Sequence, residues 1–204
     1  MDTAAADPLP IRSLTFLGGM ATADGWRPPT TLPEVAFAGR SNVGKSSLIN
    51  KLVRRRALAR VSKTPGRTRE INFFQVNELF ILADLPGYGY ARIAKSKQAD
   101  WRPLIEGYLG RTPRLRGVVL LLDARRDPSD DDRTMLDFLA DTNHPTIVAV
   151  TKIDKLGRLA RDEAVGALAS TLGLDGDQVI PFSAVTGQGR DELAAALVSL
   201  VTPG

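Results

Sequence analysis

The eight residues Gly39-Arg40-Ser41-Asn42-Val43-Gly44-Lys45-Ser46 constrain this chain more than any other stretch. They carry the spacing G-x-x-x-x-G-K-S, and their neighbours supply the context. Residues 35–38 form a short apolar run suited to a buried strand, and Leu48, Ile49, Leu52 and Val53 share one face of a helix. A strand that turns through a glycine loop into a helix is the setting of a phosphate-binding loop. The glycines let backbone N–H groups curl round an anion. The helix amino end aims unpaired N–H groups and its positive dipole at the same point. Lys45 is expected on the β- and γ-phosphates of a nucleotide, and the Ser46 hydroxyl on magnesium.

The rest of the chain alternates in the same way. Residues 71–76 and 79–83 read as strands joined by a tight turn at Asn77-Glu78. Residues 117–122, 146–150 and 179–182 read as further apolar strands. Helical patterns occupy about 96–109, 133–140 and 159–172, and Leu193, Leu197, Leu200 and Val201 line a last helix. This predicts an α/β domain with a six-stranded, mostly parallel sheet and helices on both faces, one strand being antiparallel. Ligands of such sheets bind at the carboxyl ends of the strands. The domain is expected over 34–202. Residues 1–33, rich in Ala, Thr, Gly and Pro, read as a partly flexible arm, in which residues 11–17 suit a short edge strand.

Composition excludes several chemistries. With no cysteine among 204 residues, there is no disulfide, thiol nucleophile or thiolate metal site. His144 is the only histidine, and beside Pro145 it reads as a plain loop residue. The longest apolar runs are too short to span a bilayer, and the start of the chain lacks the pattern of a signal peptide. A cytoplasmic monomer is expected. The net charge of +4 favours an anionic partner.

The choice of base falls to Thr151-Lys152-Ile153-Asp154, which follows a buried strand. The Asp154 carboxylate can accept from guanine N1–H and the 2-amino group. Adenine lacks both donors, which would leave a buried carboxylate unpaired. Lys152 can cover the flat face of the base. Ser183-Ala184-Val185 follows the last strand, where a backbone N–H, that of Ala184, is expected on guanine O6. Asp84-Leu85-Pro86-Gly87 ends another strand; Asp84 is expected to hold magnesium through water and the Gly87 N–H to feel the γ-phosphate. The polar loop over 57–70 must supply a threonine to the metal. Thr64 and Thr68 are the candidates, and Thr68, directly before a strand, is preferred. Gly66, Arg67, Arg69 and Glu70 beside it are expected near the nucleotide. A long structureless loop of this kind suits a switch. Lys45, Thr68 and Gly87 would then carry hydrolysis. Tyr88 takes the place where many GTPases set a water-orienting Gln, so slow intrinsic turnover is expected. Arg54, Arg55, Arg56, Arg60, Lys63, Arg67 and Arg69 form either a solvated basic face or a contact for phosphate backbone. Tyr88 and Tyr90 are expected on a switch, and Trp101 and Tyr108 in helix contacts.

With these residues in view, the chain resembles the EngB (YihA/YsxC) family of ribosome-biogenesis GTP-binding proteins, within the TrmE–Era-like group. The marks are GRSNVGKSSLIN at 39–50, SKTPGRTREINFF at 62–74, DLPGYGYA at 84–91 and TKIDKL at 151–156. The resemblance implies GTP or GDP as ligand and Ser46 and Thr68 as magnesium ligands. It also implies a role in large-subunit assembly, with the subunit precursor and its ribosomal RNA as partners, and a link to cell division and septation. Likeness to the TrmE group implies potassium beside the phosphates, held by Asn42. Two readings stay open beside it. One is a nucleotide-regulated division factor that does not act through the ribosome; the other, disfavoured by Asp154, is an ATP-using P-loop protein.

Overall fold

Strand β2 (Glu34–Gly39) shows how the sheet must be built. All six of its residues are buried. Val35 and Phe37 enter one hydrophobic cluster, Ala36 and Ala38 the other. A strand covered on both faces belongs inside a sheet with helices above and below. The computed structural model, which describes residues 6–55, 70–89 and 102–202, has that arrangement. In chain order its elements are β1 (Leu14–Met20), β2, α1 (Lys45–Leu52), β3 (Ile71–Val76), β4 (Phe80–Asp84), α2 (Arg102–Gly110), β5 (Leu115–Asp123), α3 (Asp130–Asp141), β6 (Thr146–Thr151), α4 (Arg158–Leu172), β7 (Val179–Phe182) and α5 (Arg190–Val201).

The sheet has seven strands in the order β1-β3-β4-β2-β5-β6-β7. Strands β4, β2, β5, β6 and β7 pair in parallel; β3 is antiparallel to both β4 and β1. One cluster joins α1 and α5 to the sheet through Leu48, Leu52, Leu193 and Leu197. On the other side α2 and α3 contribute Leu104, Tyr108, Met135 and Leu139. Leu168 of α4 closes a third cluster over Val148 and Val150.

The expected six strands are therefore seven. The seventh is β1, the short edge strand that residues 11–17 suited, shifted to Leu14–Met20, because irregular burial and a bulge between Phe16 and Gly18 blur its periodicity. It is set in register by Asn77 in the β3–β4 turn. The Asn77 Oδ1 accepts from the N–H groups of Arg12 (2.8 Å) and Ser13 (3.1 Å), and its Nδ2 donates to the Pro10 carbonyl at 3.1 Å. Leu9 is buried against α1 and α5. Residues 6–33, expected as an arm, thus lie against the same sheet, and the boundary placed at residue 33 falls between two of its strands.

Helix α3 begins three residues before the expected start, because Ser129 and Asp132 form a capping box there. Only residues 102–110 of the helix expected at 96–109 are described; Trp101 lies outside. Tyr108 is buried as expected, and its hydroxyl donates to Glu34 at 2.8 Å. His144 is a loop residue whose Nε2 bonds the Leu109 carbonyl at 3.0 Å. No helix among the described residues is long and apolar enough to cross a membrane.

Candidate nucleotide site

Among the described residues, the candidates come together at the carboxyl ends of β2, β4, β6 and β7. Gly39 ends β2, and the loop from Arg40 to Gly44 leads into α1, which opens with Lys45 and Ser46. The loop needs two left-handed residues, Asn42 at φ 66° and Gly44 at φ 110°. Gly39 meets a different demand, since a Cβ there would stand 2.9 Å from Val43 Cγ1 and 3.1 Å from Leu121 Cβ.

Beyond β4 the chain continues beside this loop. Leu85 N–H donates to the Phe37 carbonyl (3.1 Å), Tyr88 N–H to that of Gly39 (3.3 Å), and Ser41 N–H to that of Tyr88 (2.9 Å). The Asp84-Leu85-Pro86-Gly87 segment is thereby held in parallel register with the first residues of the loop. Gly87 passes so close that a Cβ would lie 3.0 Å from Ser41 Oγ. Lys45 Nζ and an Asp84 carboxylate oxygen form an ion pair, both side chains nearly buried. The amine expected on phosphates and the acid expected beside magnesium therefore meet at one point, next to Ser46.

On the base side, the buried Thr151 donates from Oγ1 to the Val43 carbonyl at 2.7 Å; the Leu122 carbonyl lies 3.0 Å away. One hydroxyl carries one proton, and the shorter contact ties the end of β6 to the phosphate loop. Lys152, left-handed at φ 62°, extends its Nζ to the Asn42 carbonyl (2.6 Å) and Asp123 Oδ2 (2.8 Å). Burial alone would raise the Asp123 pKa, but hydrogen bonds from Arg125 and Lys152 outweigh it and hold the carboxyl below its usual range. Asp154 Oδ1 accepts from Ser183 Oγ at 2.7 Å, and that bond leads the causes that lower its pKa. Ser183 Oγ in turn accepts from Thr186 N–H at 3.1 Å. A fixed, ionised carboxylate at Asp154 suits a double donor. Ile153 is buried beneath it. Ala184 is half-buried and Val185 is exposed on the adjoining loop.

Gly66, Arg67, Thr68 and Arg69 lie outside the described residues, as do Thr64, Arg56, Arg60, Lys63 and Tyr90. Glu70 is exposed just before β3, at the same end of the sheet as Asp84, since the next residues of β3 pair Asn72 with Asp84. Arg54 and Arg55 are exposed at the end of α1.

Tyr88 differs from expectation. It is fully buried, and its hydroxyl donates to Asp132 Oδ1 at 2.9 Å. Burial, then the Asp132 charge, push its pKa well above the ordinary phenol range, so it remains a donor. The phenol points into the sheet-and-helix core because α3 offers there the one carboxylate that also caps the helix. It belongs to no exposed surface. Sequence reasoning also missed Asp123, which holds Lys152. Its only signal is an acidic residue closing a long apolar strand.

The sequence family described as 50S ribosome-binding GTPase matches residues 34–152, and that of the elongation factor Tu GTP-binding domain matches residues 111–203. The chain is 68% identical over 191 residues to a probable GTP-binding protein EngB of Gemmatimonas aurantiaca, covering 94% of both chains. It is 49% identical to the protein of the same name in Geobacter metallireducens, covering 87% of both. Among solved structures, a probable GTP-binding protein engB aligns with a TM-score of 0.69 at 25% identity, over 82% of this chain and 98% of that one. Era bound to MgGDPNP and a segment of 16S ribosomal RNA aligns with a TM-score of 0.67 at 24% identity, over 85% of this chain and 58% of that one, and shares the fold.

Proposed function

The chain belongs to the EngB family of GTP-binding proteins, and from that premise we propose that its GTPase cycle is a switch in large ribosomal subunit assembly, on which normal cell division and septation depend. The GTP-binding part of the reading is supported by the Thr151–Val43 bond, which ties the strand before Asp154 to the phosphate loop. It sets the base-reading carboxylate of Asp154 and the phosphate loop in one fixed frame. The partner assignment leans on the matching family's description as 50S ribosome-binding. The basic balance of the chain supports an RNA component.

In this reading residues 34–202 are the catalytic domain and the β1 segment its edge. Gly39 to Gly44 wrap the β-phosphate, and Lys45 neutralises charge as the γ-phosphoryl group leaves toward an in-line water. Gly87 N–H and Thr68 sense the γ-phosphate. Gly66, Arg67, Arg69 and Glu70 border the nucleotide from the first switch. Lys152 covers the guanine, Asp154 reads its edge, and the turn at Ser183, Ala184 and Val185 meets its O6. The donor set fits magnesium. Ser46 offers a hard hydroxyl oxygen and the Asp84 carboxylate lies near it, as its ion pair with Lys45 marks, while the family pattern assigns the second hydroxyl to Thr68. Bound there, the ion would supply positive charge that stabilises the phosphates as the γ-phosphoryl group leaves. Asn42 would hold potassium beside them, in place of an arginine. Tyr88, buried and engaged, does not orient water, so turnover without a partner is slow. The protein works as a monomer in the cytoplasm.

The test is a sedimentation profile of cell extract with GTP, GDP and a non-hydrolysable analogue. The reading expects co-migration with large-subunit precursors in the GTP and analogue lanes. Co-migration with membranes, or none in any lane, would contradict it.

A further inference from the structure

A cleft of about 700 Å3 opens between α1, the loop after β7 and the first turn of α5. Its charge comes from Lys51 in the last turn of α1 and from Arg54 and Arg55 in the turn that follows the helix, where Arg54 is left-handed at φ 51°. Arg190 forms the wall opposite. It is buried and committed, donating to the carbonyls of Leu52 (3.1 Å) and Leu9 (2.9 Å) and pairing with Asp7 and Asp191. Both acids near the cleft pair with Arg190, Asp191 keeping an exposed carboxylate on the rim opposite the three cations. Asp7 also reaches Arg54 at 3.2 Å, yet the Arg54 side chain is 60% exposed. A guanidinium has five N–H donors in a planar fork, so most of that fork still faces solvent. The cleft therefore presents Lys51, Arg55 and Arg54 outward.

The same cleft abuts the base-reading loop. Lys51 Nζ lies 3.5 Å from the Val185 carbonyl. Its stem rests on Gly187, where a Cβ would come within 2.9 Å of Lys51 Cε. Gly187 N–H donates to the Ser183 carbonyl at 2.8 Å, and Ser183 Oγ holds Asp154. Lys51 is thus the outer support of a loop whose inner side orients the guanine-binding carboxylate.

We infer that this cleft binds the phosphodiester backbone of RNA, and that its occupancy speeds release of guanine nucleotide. The RNA assignment rests on the ribosomal reading above. The chemistry favours it over an acidic peptide. Two guanidinium forks and an ammonium lining one cleft suit the phosphates of a backbone. The rim offers a single exposed aliphatic, Val185, against which a sugar or base can lie, rather than a groove for peptide side chains. A phosphate draws Lys51 more strongly than a carbonyl at 3.5 Å does. Once Lys51 turns to the phosphate, the loop loses its outer support, and Ser183 and Asp154 hold the base less firmly. By reciprocity, whatever factor RNA takes from GDP affinity, bound GDP takes from RNA affinity.

The test is release of fluorescent GDP from the full chain, with and without a single-stranded RNA of about 16 nucleotides at fixed salt. RNA is expected to speed release about fivefold or more. Arg54→Gln with Arg55→Gln is expected to weaken RNA binding about tenfold or more, leave RNA-free GDP release unchanged, and abolish the stimulation. Lys51→Gln is expected to keep most RNA binding while uncoupling it from release. Should the double variant melt early through loss of the Arg54–Asp7 pair, Arg55→Gln alone, on an exposed side chain, repeats the test. Undiminished RNA binding by these variants, or an unaltered release rate with RNA bound, overturns the inference. So does equal stimulation by a polyglutamate peptide. If RNA acts through the cleft while subunit precursors fail to bind in the sedimentation assay, the cleft stands and the ribosomal reading falls.

Discussion

Replacing Tyr88 by phenylalanine removes one oxygen from the centre of the molecule. The Asp132 carboxylate accepts three hydrogen bonds: from Ser129 N–H (2.9 Å) and Oγ (2.7 Å) on one oxygen, and from Tyr88 on the other (2.9 Å). Tyr88 is fully buried and Asp132 only 4% exposed, so water cannot readily replace the phenol. A hydrogen bond to a buried charge contributes roughly 1.5–3 kcal/mol, so Tyr88→Phe should cost about 2 kcal/mol. For a domain of this size that lowers Tm by about 4–8 °C. The loss should not stop at stability. The Tyr88 backbone bonds Gly39 and Ser41, and Gly87 precedes it, so slack at Tyr88 reaches the γ-phosphate side of the site. If about half the loss falls there, affinity for a non-hydrolysable GTP analogue drops roughly fivefold, with GDP affinity within about twofold of the parent. Calorimetry and fluorescent-nucleotide titration measure the two effects. A Tm within about 1 °C of the parent, well inside the expected shift, would refute the buried-charge argument. An equal fall for both nucleotides would refute the link to Gly87.

Two further outcomes follow from the site's bonds. Thr151→Val keeps shape but leaves the Val43 carbonyl without its donor, which should cost about 1–3 kcal/mol and weaken GTP and GDP alike; denaturant unfolding and nucleotide titration check it, and a neutral result would mean the two half-sites need no tether. The Asp7 pKa is lowered because its bonds with Arg190 and Leu9 N–H outweigh the upward push of burial, so its contribution is present above the unfolded value of 3.8 and lost as pH falls through the folded one. Asp7→Asn should therefore lower Tm at pH 7, and the gap should begin to narrow below about pH 4 and close as pH falls through the lowered folded value; a gap that persists below that value would show that Asp7 acts by shape alone.

The sequence was most informative where chemistry is local. The phosphate loop, the acid ending β4 and the Asp154 turn each follow a strand directly, so spacing alone placed them on one edge of the sheet. It was silent where the partner is remote. The Tyr88–Asp132 bond joins residues 44 apart and depends on how α3 docks. The Thr151 tether spans 108 residues, and no local pattern marks its partner. Strand β1 is legible only as a short edge strand over 11–17, because its glycines and bulge blur its actual span, Leu14–Met20. Its register is dictated by Asn77 rather than by its own alternation. Asp123 went unremarked because a lone acid after an apolar run has no pattern to match.

The central claim is that Asp154 reads guanine in a site shared with the phosphate loop. The direct measurement is steady-state hydrolysis of GTP, ATP and XTP by the parent chain and by Asp154→Asn. The parent should turn over GTP slowly and leave ATP and XTP nearly untouched. The variant should lose GTP through a raised KM and gain XTP, because Asn can donate where xanthine carries a carbonyl. A variant that keeps the parent's KM for GTP, with no gain for XTP, would contradict the claim.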